Sequence, residues 1–278
     1  MISSLLRSLS LKHNISLLDL EILLCHVLQI ERSFLKSHSE IIIDPIQLAE
    51  FYTLVSRRTH NEPIAYIIGN KNFWDLNLIV TKDVLIPRPE TEMLVEKALE
   101  ILPNNSYANV LELGTGSGAI SLSLAKHRHN IIITATDVST AALNIAKINA
   151  KKLNINNINF LYSNWFDEIY KLDAKFDVII SNPPYIAFNE MNLCNQEIFY
   201  EPTLALFSDN NGLKYLEHIV FSSKNYLKNN AYLLLEHGFN QAKQLAKFLQ
   251  IAGFSEITSF KDLSYLDRIT VAKNIKNF

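Results

Sequence analysis

The sequence predicts an α/β fold in which helices cover both faces of a largely parallel sheet, preceded by a small helical domain and a short β-hairpin. From residue 109 onward, apolar segments typical of strands alternate with segments typical of helices, as in parallel sheets. Before residue 70, apolar residues recur at intervals of three and four, the period of a helix. We divide the chain into a helical domain at 1–70, a hairpin linker at 71–88 and a larger domain at 89–278.

Composition restricts the chain to a globular class. Of its 278 residues, 48% are hydrophobic and 19% are charged, and no apolar run reaches the roughly 18 residues that suggest a membrane span. The net charge of −2 at pH 7 lacks the basic excess of proteins that bind duplex DNA, so no direct DNA binding is expected. Cys25 and Cys194 stand in unlike surroundings and predict neither a disulfide nor a metal cluster. We expect a cytoplasmic protein without a bound metal.

Residues 1–70 are expected to form helices that dock a protein partner. Ser16 followed by Asp19 is a helix-start signal. Asp44 before Pro45 is another, because proline costs little at the first helical position. The first 60 residues carry six acidic and six basic side chains, a balance that favours protein docking over nucleic-acid binding.

After this domain, the pattern changes from hairpin to alternating strands and helices. Residues 73–86 alternate between apolar and polar side chains and predict the hairpin, and Pro89 to Glu92 then begins a helix. In the sheet that follows, ligands are expected at the carboxyl ends of the strands. The predicted strands are residues 109–113, 131–136, 158–163, 176–181 and 231–236, and the predicted helices are residues 118–128, 139–153 and 212–227.

A glycine-rich turn after the first of these strands predicts a nucleoside site. Three of the seven glycines, Gly114, Gly116 and Gly118, fall within five residues. Glycine permits positive φ and lets a ligand approach backbone N–H groups. The third glycine comes one residue earlier than in the dinucleotide fingerprint, so another nucleoside is expected. The alternative is an ordinary strand-to-helix turn.

Two acidic residues accompany the glycine turn. Asp137 ends the second strand, where a carboxylate accepts hydrogen bonds from ribose hydroxyls in nucleotide-binding folds. Alternatively, Asp137 or Ser139 caps the next helix. Glu112, at the end of the first strand, is expected either to orient the glycine turn or to meet an amino group of the ligand.

The fourth strand ends in Asn182, Pro183, Pro184 and Tyr185, which we interpret as a recognition site for a planar NH2 group. Each proline lacks an N–H and has a fixed φ, so the carbonyl oxygens of Asn182 and Pro183 are left without strand partners. Together with the side-chain carbonyl of Asn182 they are expected to accept from an NH2 group, while the Tyr185 ring holds its plane. The alternative is a proline-rich turn that only ends a buried strand.

These features together resemble a known class of enzymes. A strand, a G-x-G-x-G turn and an acid after the second strand resemble the S-adenosylmethionine-dependent class I methyltransferases, which have a Rossmann-like fold. The Asn-Pro-Pro-Tyr segment resembles that of methyltransferases acting on adenine N6, cytosine N4 or glutamine N5. An amide nitrogen is a weak nucleophile, so the site must mainly position it in line with an activated methyl group. No general base is required.

Several segments resemble one family in particular, the peptide chain release factor N5-glutamine methyltransferases. The resemblance of this chain to that family implies S-adenosyl-L-methionine as cofactor and the glutamine of a release factor Gly-Gly-Gln motif as acceptor. Two alternatives stay open: an N6-adenine-type nucleic-acid methyltransferase, which predicts a basic groove, and a ribosomal-protein glutamine methyltransferase, which typically lacks the Pro-Arg-Pro-Glu-Thr-Glu and Glu-His-Gly runs. The segments that carry the resemblance include 85–92, 113–118, 163–166, 181–185, 201–206 and 233–238.

The resemblance also implies roles for individual residues. Asn182, Pro183 and Tyr185 would act in catalysis, and Pro184 would complete the substrate site. The family usually has an acid where this sequence has Asn164, which alters the expected contact to the adenine amino group. The implied cofactor residues are Glu112, Gly114, Thr115, Gly116, Ser117, Gly118, Asp137, Trp165 and Asn182.

Charged residues on either side of these motifs suggest supporting roles. Arg88, Glu90 and Glu92 are expected to form an ion-pair network that closes the site, or alternatively a solvated helix start. Glu236, in the Glu-His-Gly run, is expected to support the acceptor pocket, and His237 is considered as a catalytic base.

Overall fold

The computed structural model describes residues 2–38, 40–105 and 107–275. They form two compact units. One comprises the chain up to Asn70 together with Asn195–Tyr200, and the other comprises Lys71–Cys194 together with the chain from Glu201 onward. Among the described residues, no helix has the length and apolar character needed to cross a membrane.

The first unit consists of helices, as predicted. The side-chain oxygen of Ser16 accepts a hydrogen bond from the Asp19 N–H at 3.0 Å, and Asp44 accepts one from the Ile46 N–H at 2.8 Å. Both predicted helix starts are therefore confirmed. The helices are α1 (Ile2–His13), α2 (Leu17–Leu28), α3 (Arg32–Ser37), α4 (Pro45–Thr59) and α5 (Ile64–Ile68).

The segment Asn195–Tyr200 joins the helical unit through polar contacts. Arg58, on α4, donates to Asp19 at 2.9 Å and to Glu197 at 2.6 Å. The Tyr200 hydroxyl donates to the carbonyl oxygen of His60 at 2.8 Å. A short stretch far along the chain is thus part of the helical unit.

The hairpin lies earlier than the sequence pattern predicted. Its strands are β1 (Asn70–Phe73) and β2 (Leu76–Ile79), whereas the prediction was 73–86. Trp74 takes a positive φ of 54° in the tight turn between them. Residues 80–88 form no strand, and proline there, at Pro87, removes an N–H that a strand ladder would need.

The central sheet of the second unit has seven strands in the order β10-β11-β9-β6-β3-β4-β5. The pairs from β9 to β5 are parallel, whereas β11 pairs antiparallel with both β9 and β10. The predicted largely parallel sheet is confirmed. The strands are β3 (Ala108–Leu113), β4 (Ile131–Asp137), β5 (Ile158–Tyr162), β6 (Phe176–Ser181), β7 (Ile186–Ala187), β8 (Phe207–Ser208), β9 (Leu227–Glu236), β10 (Ser255–Lys261) and β11 (Asp267–Asn274), with β7 and β8 forming a separate pair.

Helices cover both faces of this sheet, as the alternating pattern predicted. Val110 belongs to one apolar core cluster and Leu111 to the other, because successive strand residues point to opposite faces. The helices are α6 (Glu92–Ile101), α7 (Ala119–His127), α8 (Thr140–Lys152), α9 (Thr203–Leu206), α10 (Lys214–Ser223) and α11 (Ala242–Ile251). The first cluster includes residues of α6 and α7, and the second includes residues of α10 and α11.

Two boundaries near the carboxyl end differ from the predictions. The helix expected at 212–227 is α10, which ends at Ser223, and the strand expected at 231–236 begins already at Leu227. Residues 228–230 are exposed, and their polar Lys-Asn-Asn sequence does not suggest a strand. Leu227 pairs with Phe176, and pairing with β6 resumes at Tyr232 after a register shift.

Candidate active site

The glycine turn follows β3 and lies against the end of β4. The N–H groups of Gly114 and Thr115 donate to the Thr136 carbonyl oxygen at 2.9 and 2.8 Å. Gly114 and Gly116 have φ values of 74° and 55°, and no atom lies within 4 Å of where a Cβ would stand. The turn therefore presents open backbone to the adjoining cavity at Gly114 and Gly116.

Gly118 has a different role from the other two glycines. It precedes α7 with a φ of 86°, and a Cβ there would lie 2.9 Å from Leu122 Cδ1 and 3.3 Å from Ala146 Cβ. It lines neither cavity described below. The structure thus gives Gly118 a packing role between α7 and α8 and does not place it among the cavity residues, where the family resemblance had put it.

Glu112 orients the glycine turn from beneath. It is buried and accepts hydrogen bonds from the Thr115 hydroxyl at 2.7 Å, from the Ser121 N–H at 3.2 Å and from the Ser121 hydroxyl. Burial raises the pKa of Glu112 to about 7, and these hydrogen bonds oppose the rise. Of the two roles expected for Glu112, the contacts favour support of the turn.

Asp137 joins the glycine turn to the start of α8. Its carboxylate accepts from the N–H of Gly116 and from the N–H of Ser139, each at 2.9 Å. Ser139 itself caps α8, accepting from the Ala142 N–H at 3.1 Å. Burial raises the pKa of Asp137, while the backbone hydrogen bonds lower it. Asp137 thus lies at the cavity with its orientation fixed on both sides.

A cavity of about 220 Å³ opens at the carboxyl ends of β3, β4 and β6. Trp165, at a positive φ of 53°, contributes an aromatic wall and stacks at a tilt on Tyr215, with ring centroids 5.0 Å apart. Asn164 is exposed beside it, and its Nδ2 donates to Asp167 at 3.0 Å. The lining also includes Leu85, Gly114, Gly116, Asp137, Asn182, Pro184, Pro202 and Ala205.

A second, smaller cavity of about 50 Å³ lies on the other side of the glycine turn. Glu112, Thr115 and Ser117 line it, as do Arg88 and Thr91. Thr115 and Ser117 are buried and do not line the larger cavity, so they support the turn from this side. Asn182, Gly114 and Gly116 line both cavities.

Asn182 and Pro183 follow directly after β6. The Nδ2 of Asn182 donates to the Thr91 hydroxyl at 3.0 Å. Within the described ranges, no residue donates to the carbonyl oxygen of Asn182 or Pro183. Pro183 is buried and Pro184 lines the larger cavity. Asn182 borders both cavities, whereas Pro183 lines neither, so the role of the two oxygens as acceptors stays a prediction.

Tyr185 is placed differently from the prediction. It lines neither cavity and packs against the core cluster beneath α10 and α11. Its hydroxyl donates to Glu236 at 3.0 Å, and burial together with the Glu236 charge raises the pKa of Tyr185 far above its usual value. The structure does not bring the Tyr185 ring to the cavity wall, so its role is to anchor the segment.

Three residues that the sequence analysis did not assign to the site hold this segment in place. Thr91 contacts Asn182. Gln241 donates from Nε2 to the Tyr185 carbonyl oxygen at 3.0 Å. A Cβ at Gly212 would overlap that same oxygen. The one signal for Thr91 was its place in the Pro-Arg-Pro-Glu-Thr-Glu run, and the signal for Gln241 was its position three residues after the Glu-His-Gly run.

The expected network of Arg88, Glu90 and Glu92 does not form. Arg88 donates instead to the buried Glu201 at 2.5 Å, and Glu201 also accepts from the Ile86 N–H at 3.0 Å. Glu92 accepts from the Trp74 N–H at 2.8 Å. The prediction was wrong because the partner of Arg88 lies 113 residues away, beyond the reach of a local charge pattern.

His237 is unsuited to act as a base for the cavity. It is fully buried; its Nδ1 contacts the Gly238 carbonyl oxygen and its Nε2 contacts the Thr270 hydroxyl, both at 2.9 Å. Burial lowers the pKa of His237. Both ring nitrogens are thus engaged within the second unit, away from the cavity lining.

The residues of the larger cavity fit S-adenosylmethionine. Asp137 offers a carboxylate for the two ribose hydroxyls, Gly114 and Gly116 offer a surface without side chains, and Trp165 offers a face for a flat base. No group of three or more candidate metal ligands occurs in the part of the chain that the structure describes. The fold and this cavity define a class I S-adenosylmethionine-dependent methyltransferase.

Comparison with known proteins narrows this class to one family. Residues 91–247 match the methyltransferase small domain, and residues 4–69 match the PrmC N-terminal domain. The chain is 46% identical over 253 residues to a release factor glutamine methyltransferase of Buchnera aphidicola, covering 91% of this chain and 90% of that protein. It is 45% identical over 256 residues to one of Coxiella burnetii, covering 92% and 91%. The chain belongs to the release factor glutamine methyltransferase family.

Solved structures agree on the fold. A methyltransferase from Pyrococcus furiosus matches with a TM-score of 0.56 at 18% identity, covering 80% of this chain and 98% of that one. A human methyltransferase 10 domain containing protein matches with a TM-score of 0.56 at 18% identity, covering 73% and 90%. At this level of identity the likeness extends to the fold alone.

Proposed function

We propose that this enzyme methylates the N5 amide nitrogen of a glutamine in a peptide chain release factor, within the Gly-Gly-Gln motif, using S-adenosyl-L-methionine. The observation that most directly supports this proposal is the position of Asn182, which lines both cavities beside the glycine turn. The relatives that match nine-tenths of the chain are named for this substrate.

The cofactor residues act by orientation. When bound, S-adenosylmethionine supplies a methyl group activated by the sulfonium. The Asp137 carboxylate accepts from the ribose hydroxyls, and its own orientation is fixed by the N–H groups of Gly116 and Ser139. Trp165 would lie against the adenine, and Asn164, in place of an acid, would accept from the adenine amino group through its side-chain carbonyl.

The acceptor residues position the amide. An amide lone pair is delocalised into the carbonyl, so the nitrogen reacts only when it is held in line with the methyl group. The side-chain oxygen of Asn182 and the backbone oxygen of Pro183 accept from the two amide hydrogens. These oxygens also stabilise positive charge as it develops on the nitrogen.

Labelled methyl transfer tests this function. The protein is incubated with methyl-labelled S-adenosylmethionine and either a release factor, the same factor with its Gly-Gly-Gln glutamine replaced, or DNA. We expect label only in the intact factor. Label in DNA, or equal label in the substituted factor, would refute the assignment.

The helical domain at 1–70 is proposed to bind the release factor, with the reaction taking place in the cytoplasm. Large apolar side chains are exposed on this domain, a feature of surfaces that bind proteins. They include Leu11, Leu17, Leu18, Phe34, Ile42, Ile46 and Tyr52.

Point substitutions test the docking proposal. Leu11→Asp and Ile46→Asp change side chains that are 88% and 79% exposed, so the fold should tolerate them. We expect the KM for intact release factor to rise, with methylation of a short Gly-Gly-Gln peptide unaffected. Leu263→Asp, at an exposed position of the second unit, is the control. Equal effects on factor and peptide would argue against docking through this domain.

A further inference from the structure

Glu236 is a fully buried carboxyl at the end of β9 with two hydroxyl donors. The Thr91 hydroxyl donates to its Oε2 at 2.7 Å, and the Tyr185 hydroxyl donates to its Oε1 at 3.0 Å. It lines neither cavity. Glu236 therefore contacts the acceptor segment directly at the Tyr185 hydroxyl and reaches Asn182 only through Thr91.

The hydrogen bonds from Glu236 to Asn182 have a single consistent direction. An ionised carboxylate only accepts, so the one hydroxyl proton of Thr91 is committed to Glu236. The Thr91 oxygen is then left with lone pairs alone, and the neighbouring Asn182 must approach it with its NH2 group, as observed at 3.0 Å. The reversed amide would set two acceptor oxygens against each other.

We propose that Glu236 is a positioning residue that, through Thr91, sets which end of the Asn182 amide is left for the substrate. With the nitrogen held by Thr91, the Asn182 side-chain oxygen is the end that remains to accept from the glutamine NH2 group. The reversed amide would present a donor to a donor. This inference rests on the proposed function and adds the group that orients its acceptor.

A second branch from Glu236 fixes the other end of the same segment. Tyr185 is held at its hydroxyl by Glu236 and at its carbonyl oxygen by Gln241. Pro183, whose oxygen is the other proposed acceptor, lies between the two held residues. The positions of the Asn182 and Pro183 oxygens thus both depend on hydrogen bonds to Glu236, one through Thr91 and one through Tyr185.

The charged surroundings of Glu236 allow it to ionise near neutral pH. Burial raises the pKa of Glu236 to about 7, Glu90 adds to the rise, and the hydroxyls of Thr91 and Tyr185 and the charge of Arg268 on β11 lower it. The neighbouring His237 has a lowered pKa. With a pKa of about 7, Glu236 passes from the protonated form to the ionised form that the relay requires as the pH rises from 6 to 8.

Thr91→Val and Thr91→Ser form the matched test. Valine keeps the shape and removes the hydroxyl, whereas serine keeps the hydroxyl. We expect Thr91→Val to lower kcat for release factor about 10- to 100-fold, a loss typical of misdirected transition-state contacts, with the Kd for S-adenosylmethionine within about threefold. Thr91→Ser should restore kcat to within about threefold of wild type. Equal kcat in the two variants would overturn the proposal.

Glu236→Gln supplies an independent test, also in case Thr91→Val does not fold. A glutamine amide can donate to Thr91, which frees the Thr91 proton to hold the Asn182 amide in the reversed orientation. We expect wild-type kcat to rise from pH 6 to pH 8 as Glu236 ionises. In Glu236→Gln, kcat should fall about tenfold or more and this rise should disappear. Wild-type kcat with an unchanged pH profile would overturn the proposal. Absence of methyl transfer by the wild type would instead overturn the proposed function.

Discussion

At the scale of single residues, Asn182 combines two tasks, one toward the cofactor and one toward the substrate. It borders the larger cavity and, in the function proposed above, also offers the acceptor oxygen. Only the second task changes between the ground state and the transition state, because charge develops on the substrate nitrogen as the methyl moves. Contacts that strengthen in the transition state affect kcat more than they affect binding.

We therefore predict a split between turnover and cofactor binding in Asn182→Ala. The kcat for release factor should fall about 100-fold or more, whereas the Kd for S-adenosylmethionine should rise by only a few-fold. Single-turnover methylation and calorimetric titration measure the two quantities. A variant that loses cofactor affinity as strongly as kcat would show that Asn182 acts mainly as a cofactor ligand.

The glycines provide a second prediction at this scale. In Gly118→Ala, the new Cβ meets Leu122 at 2.9 Å and φ is 86°, so the free energy of unfolding should fall by about 2 kcal/mol or more. In Gly116→Ala the Cβ stands in open space beside the cavity, so the loss should be nearer 1 kcal/mol, with a larger rise in cofactor Kd. Urea unfolding and cofactor titration of both variants compare the effects, and the reverse order would contradict these roles.

The residues that sequence could identify are those whose signal is local. Gly114, Gly116 and Asp137 were found from spacing along the chain, and Asn182 from the prolines beside it. Thr91 contacts Asn182 across 91 residues, and Gln241 contacts Tyr185 across 56. Such contacts arise when the fold brings the starts of α6 and α11 close to the segment that follows β6, and no local pattern encodes them.

At the scale of elements, Glu201 ties together two segments that border the larger cavity. It accepts from the Ile86 N–H and from Arg88, just before α6, and it immediately precedes Pro202 and the short helix α9. Leu85 and Pro202 both line the cavity. The shape of that wall thus depends on a carboxyl that does not itself line it.

We predict that Glu201→Gln weakens both the fold and cofactor binding. The amide keeps the size but loses the charge opposite Arg88, whose side chain is 35% exposed, so the free energy of unfolding should fall by about 2 kcal/mol. The cofactor Kd should rise several-fold. The control is Glu100→Gln, which removes the same charge from a surface pair with Lys97 and should cost about 0.5 kcal/mol or less. Equal losses in the two variants would contradict the role of Glu201.

The elements that sequence predicted well are the buried parallel strands and the helices between them. Their apolar runs are continuous because both faces of the sheet are covered. Strands β10 and β11 were not predicted. β10 has mostly exposed or partly exposed side chains, and Glu256 adopts a positive φ of 49° within it, so the alternating pattern of a strand is weak there. Pairing with β11, which no single segment reveals, determines its structure.

At the scale of the whole molecule, the course of the chain limits how the units can be separated. Residues 195–200 belong to the helical unit although they lie between Tyr185 and Glu201, which belong to the other unit. Removing the N-terminal helices would leave Glu197 without Arg58 and Tyr200 without its acceptor on His60. Point substitutions are for this reason a sharper test of docking than deletion.

Two of the buried carboxyls of the second unit, Glu112 and Glu236, give the molecule a characteristic dependence of stability on pH. Burial raises the pKa values of Glu112 and Glu236 from 4.5 to about 7. Between these values the folded protein binds more protons than the unfolded chain, so stability falls as pH rises. At 1.36 kcal/mol per pKa unit, each carboxyl lowers the free energy of unfolding by about 3 kcal/mol between pH 4.5 and pH 8.

We predict that Glu112→Gln flattens this dependence. Urea unfolding at pH 5.5 and pH 8 should show a smaller decrease in the variant than in the wild type, because the amide does not ionise. His237, whose pKa is lowered, makes stability rise with pH in both proteins. The difference between their two pH dependences therefore reports the Glu112 carboxyl alone. Glu100→Gln, at an exposed position, should retain the wild-type dependence. An undiminished decrease in Glu112→Gln would show that Glu112 ionises in the folded enzyme as readily as in the unfolded chain.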